Sequence, residues 1–163
     1  MNTWKDLYKE IAELITKNCP DVKWVDLWHN QISFMEEEHP FDTPAVFLDF
    51  RILDVIGLGG HQQQLEAQVG MYVFYETFLD TFDNAYNQDD ALDFLELLTA
   101  LQEHFHGSSG THYSEMSRTG LQPIDTGSAG NLYLITFSCG MIDTAAAVTN
   151  VAVKPNDVTV ARS

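Results

Sequence analysis

The chain has 163 residues, 45% hydrophobic and 12% aromatic, enough to bury a core of ordinary domain size without disulfides or metals. Its 24 acids against 8 bases, a formal net charge of -16, exclude a basic nucleic-acid binder. No apolar run approaches the roughly 18 residues of a membrane-spanning helix, so composition also excludes that class.

The opening MNTWKDLYKE lacks the apolar core of a signal peptide, so export by that route is not expected. Cys19 and Cys139 show neither metal nor redox spacing, which points to a reducing compartment. The charge is unevenly placed. Between Trp24 and Ser117 there are 17 acids and one base, Arg51, while the rest of the chain is balanced. Such a surface repels nucleic acid and anionic membranes. It reads as a solvated face, as a surface that lies near DNA without adhering, or as a DNA mimic.

Trp4 to Asn18 predicts an amphipathic helix, with Trp4, Leu7, Tyr8, Ile11, Leu14 and Ile15 on one stripe. Thr3 is positioned to cap it, with Asp6 three residues on, and Pro20 ends it. A short strand is expected at Lys23 to Leu27, then an irregular stretch from Trp28 to Thr43. That stretch carries Glu36, Glu37 and Glu38, whose mutual repulsion favours a solvated loop. Pro44 to Ile52 reads as a strand with Val46, Leu48, Phe50 and Ile52 on one face and Asp49 paired with Arg51 on the other. Gly57, Gly59 and Gly60 mark the following turn.

Gln64 to Thr77 is the longest strand signal. Leu65, Ala67, Val69, Met71, Val73 and Tyr75 form an apolar face, and the other face is polar until Phe74 interrupts it. A strand of that length projects from the body or lines a shared surface. Thr81 to Asp90 is an acidic loop, and Ala91 to Phe105 is a helix with Asp89 or Asp90 as its cap and Gly107 as its stop. Ser108 to Gly130 is rich in Ser, Gly and Thr, with a strand near Ser114 to Gly120. Leu132 to Ile142 is the closing strand, and Thr144 begins an extended arm. The order predicts an α+β fold. Its sheet is mainly antiparallel, with two principal helices on one face, a hairpin, one domain over residues 1–143 and an arm over 144–163.

Chemistry-bearing patterns are sparse. Glu103, His104, His106, His112 and Glu115 carry ligand chemistry, but the two-residue spacing of His104 and His106 splays them on a helix. No nucleophile elbow, phosphate-binding loop or dinucleotide fingerprint is present. Both cysteines read as small core residues, and Trp24 and Trp28 as core or interface anchors. No enzyme, metal or cofactor is expected.

The arrangement resembles the tail terminator, or tail completion, proteins of long-tailed bacteriophages, from about Thr3 to Asp143. Four parts carry the resemblance: the N-terminal helix; the proline-led strand Pro44 to Leu48; the alternating strand Gln68 to Tyr75 leading to the helix Ala91 to Phe105; and the closing strand Asn131 to Phe137 after a Gly-rich segment. The arm and the strength of the acidity depart from the pattern. The resemblance implies a virion protein assembled in the bacterial cytoplasm. It would close into a ring, commonly of six, on the last ring of the tail tube, stop tube growth and offer a docking face to a head-completion or neck protein. DNA would pass through without specific binding. A head–tail stopper is the alternative within the same class, and an acidic DNA mimic the alternative outside it. The candidate acidic channel or docking surfaces are Glu36, Glu37 and Glu38, and a second cluster of Asp80, Asp83, Asp89 and Asp90.

Overall fold

The computed structural model describes residues 3–30, 32, 41–76, 81–126 and 130–149. Helix α1 spans Trp4–Asn18 and buries Leu7, Ile11 and Ile15. Thr3 caps it as expected: its hydroxyl accepts the Asp6 N–H at 3.2 Å and donates to Asp6 Oδ2 at 2.7 Å. At the other end the Asn18 side-chain amide donates to the Leu14 carbonyl at 2.8 Å. The Thr3 hydroxyl thus supplies a partner for a backbone N–H the helix leaves over, and the Cys19 N–H bonds the Ile15 carbonyl at 2.8 Å at the other end.

Five strands follow: β1 Trp24–Leu27, β2 Ala45–Gly59, β3 Gln62–Tyr75, β4 Ser114–Ile124 and β5 Asn131–Asp143, with helix α2, Gln88–Phe105, between β3 and β4. They form one sheet in the order β1-β2-β3-β5-β4. Only β1 runs parallel to its neighbour, from Trp24 opposite Ala45 to Leu27 opposite Leu48. The other ladders are antiparallel. The fold is α+β, with a mixed, mostly antiparallel sheet and two helices.

Both helices lie on one face. Leu7, Ile11 and Ile15 of α1 and Phe94, Leu98, Leu101 and Phe105 of α2 share a core with Val46 and Leu48 of β2, Val69 and Met71 of β3, and Ile135 and Phe137 of β5. Each large side chain removed from water there contributes about 1.5–3 kcal/mol. A second, smaller cluster covers part of the opposite face. Ile32, Ala45, Phe47, Phe74 and Leu132 are packed there with Trp28, Phe41, Tyr72 and Ile124. Trp28 stacks on Tyr72 with ring centroids 4.0 Å apart and planes within 7°. This cluster explains why Phe74 breaks the polar alternation of β3: both faces of the sheet are buried at that end.

Several boundaries differ from the sequence expectation, among them β4, which runs past Gly120 to Ile124. β2 does not stop at Ile52 but continues to Gly59. Ile52 pairs with Ala67 and Asp54 with Glu66, so Leu53 is an extra residue, a bulge that resets the side-chain alternation. Gly57 consequently lies in the strand, and the turn is made by Gly59, Gly60 and His61, all at positive φ. β3 begins two residues earlier than expected, at Gln62. Neither Asp89 nor Asp90 caps α2. Asn87 occupies the N-cap without a side-chain cap bond, and the two aspartates sit in the first turn, where the helix dipole favours carboxylates.

β1 reaches only as far as Leu48, and the Trp28 N–H then bonds the Leu48 carbonyl at 2.9 Å. Beyond it, Asp49–Gly59 has no strand on its outer side among the described residues. β4 is the opposite edge, paired among the described residues only with β5, and carries two register shifts and Pro123. Such features are tolerated on edges and discourage indiscriminate pairing. After β5 the chain turns, and the Val148 N–H bonds the Gly60 carbonyl at 2.9 Å, beside the β2–β3 turn.

Candidate functional site

Of the expected acidic residues, Glu36, Glu37, Glu38 and Asp80 lie outside the described residues. Asp83 is in an exposed turn, where the Asn84 amide donates to its carboxylate at 3.2 Å. Asp89 and Asp90 are exposed at the start of α2. Asp89 begins a stripe that the sequence reading missed. Asp93 and Glu96 follow at helical spacing on an exposed flank. Asp93 and Glu96 also line an open groove of about 810 Å³ between the end of α1 and α2, together with Asp21, Glu76 and Lys23. The three-four spacing of Asp89, Asp93 and Glu96 was the available signal.

The histidines are dispersed. His104 meets the Asn18 amide at 3.2 Å, and His106 Nδ1 accepts the Arg118 N–H at 3.1 Å. His112 Nδ1 lies 2.8 Å from Glu10 Oε2. Among the described residues no three His, Cys, Asp or Glu side chains are grouped to hold a metal. Glu10 also accepts the N–H groups of Thr111 at 2.6 Å and His112 at 2.8 Å. Burial alone would raise its carboxyl pKa, but these donors outweigh it and hold the group below its ordinary value. Both cysteines are buried and free. Burial raises both thiols, that of Cys139 to about 11, with Asp21 adding to the effect on Cys19.

The most unusual surface is the outer half of β2. Ile52, Leu53, Val55, Ile56 and Leu58 are each 44–53% exposed, consecutive along one unpaired edge. Ile52 and Val55 stand opposite Ala67 and Leu65, on the helix side. Asp54 and Ile56 stand opposite Glu66 and Gln64, on the other. Trp4 and Phe50, with ring centroids 5.9 Å apart, extend the apolar rim toward α1. In a chain this acidic, Val55 to Leu65 contains no Asp, Glu, Lys or Arg.

A second apolar surface lies at the other edge. Leu95 and Leu121 are exposed there, and with Leu98 and Ile135 they line a groove of about 210 Å³ between α2 and β4. Thr99, Gln102 and Arg118 supply its polar groups, and the Arg118 guanidinium donates to the Gln102 side-chain carbonyl. Between the two edges, the sheet face turned away from the helices is mostly polar beyond the Trp28–Phe74 cluster: Gln64, Glu66 and Gln68 of β3 pair with Ile142, Gly140 and Ser138 of β5. Thr119 donates to Thr136 at 3.0 Å on the same sheet.

No protein-family model matches this sequence, and no curated protein matches it. No described helix is long and apolar enough to cross a membrane.

Proposed function

We propose that this chain is a non-catalytic structural subunit that closes head-to-tail into a ring, commonly of six in the family it resembles, on the end of a phage tail tube. The ring stops tube growth and gives a head-completion or neck protein its docking face. The observation that carries this reading is the pair of sheet edges, on opposite sides of one subunit, that no other described strand covers, both bearing exposed apolar side chains. Opposite, unlike edges favour heterologous contacts, which either close into rings or run on as filaments. A long apolar edge strand without such a partner is an aggregation hazard.

The acidity fits the same role. DNA threading a ring lined by carboxylates and neutral polar groups meets no phosphate-binding cation to hold it. Another neck ring protein, such as a head–tail stopper, would share these features. The stripe Asp89, Asp93 and Glu96 favours a second reading, a DNA mimic that occupies a basic partner. Purified tail tubes offered to the protein distinguish them. Capped tube ends in negative-stain images support the terminator. Uncapped tubes together with competition against DNA for a basic protein support the mimic.

A further inference from the structure

We propose that the outer half of β2, Arg51 to Leu58, seats in the groove between α2 and β4 of the next copy of this chain. The proposal rests on the reading of the chain as a head-to-tail subunit and names the contact that joins the subunits.

Three observations select this occupant. The first is apolar match. Ile52, Leu53, Val55, Ile56 and Leu58 are half-exposed along this edge, with Ile52 and Val55 on the helix side and Ile56 on the other, so the edge is apolar on both faces. The groove at the far edge exposes Leu95 and Leu121 over the buried Leu98 and Ile135. The second is geometry. β2 and β4 flank the sheet on opposite sides in the order β1-β2-β3-β5-β4, and among the described residues no strand covers the outer side of Asp49–Gly59. The third is charge. β2 brings Asp54 to a groove containing Arg118, while Arg51 at the near end of the segment is already paired with Asp49 at 3.4 Å. A symmetric meeting of two β2 edges would instead bring together two Asp54–Glu66 pairs, already like charges directly opposed in one ladder. The register shifts and Pro123 of β4 limit how far a backbone ladder can run between copies. Side-chain seating, more than strand addition, therefore makes the contact.

The test uses two single variants of the full chain, I56C and L121C, mixed under mild oxidation. Cys19 and Cys139 are buried and do not compete. The expected result is an intermolecular disulfide between positions 56 and 121, mapped by peptide mass spectrometry, in the mixture and in neither variant alone. Dimers joined through two copies of I56C, or no bridge to position 121, would overturn the proposal. A charge exchange gives an independent readout. R118E should weaken self-association at least tenfold, and D54R combined with R118E should restore it; failure to restore counts against the contact. Circular dichroism confirms that each variant is folded. Bridges found in open filaments would keep the contact and remove the ring, whereas rings that never bridge these positions would keep the ring and remove the contact.

Discussion

Glu10 shows how one side chain fastens distant segments. Its carboxylate takes two backbone N–H groups and the ring of His112 from the α2–β4 connection, about a hundred residues away in sequence. Because its pKa is lowered on folding, its stabilisation is complete above the unfolded carboxylate range, near 4.5, and is lost as pH falls through the folded value. Glu10→Ala should lower stability by about 2 kcal/mol, since hydrogen bonds to a charged group are the stronger kind. Thermal melts at neutral pH should show it as a drop of roughly 4–8 °C. Glu10→Gln should flatten the loss of stability below pH 4.5; an unchanged acid profile would mean the clamp is not holding. The cysteines make a second residue-scale test. With both thiols buried and raised in pKa, a thiol-reactive chromogen should label neither in the native protein and both after denaturation.

Among the elements, α1 was legible in its bounds and its cap, which are local signals, although Trp4, expected on the buried stripe, is exposed. β2 was legible only to Ile52, because the bulge at Leu53 shifts the alternation on which a strand reading depends. The parallel pairing of β1 and the burial of Phe74 are set by a connection that folds over the second face, and no local pattern announces either. The acidic surface was legible as composition but not as placement. Only Asp89 joins a stripe visible here, while Asp83 stands in a separate turn. Glu10 was missed because its partners are set by tertiary packing alone. The two kinds of apolar side chain should separate in mutagenesis. Leu101, fully buried beneath the sheet, should cost about 2–5 kcal/mol on change to Ala. Ile56→Ser, on the exposed edge, should change unfolding of the isolated subunit by only about 0.5 kcal/mol. An equal loss at Ile56 would mean that edge is already covered within one subunit.

For the whole molecule, charge sets the conditions of assembly. Subunits at -16 each repel one another when gathered into a ring, and the repulsion between exposed carboxylates falls as the Debye length shortens. Assembly should therefore strengthen as NaCl or Mg²⁺ is raised, with Mg²⁺ effective at lower concentration. Weakening under either would show that attraction between charges, and not apolar contact, joins the copies. The most direct measurement is mass by light scattering on a size-exclusion column, with and without Mg²⁺, followed by negative-stain imaging of the largest species. The account predicts a closed ring with a central hole, of defined mass and favoured by Mg²⁺. A monomer or a two-fold dimer under every condition, even in the presence of tail tubes, would contradict it.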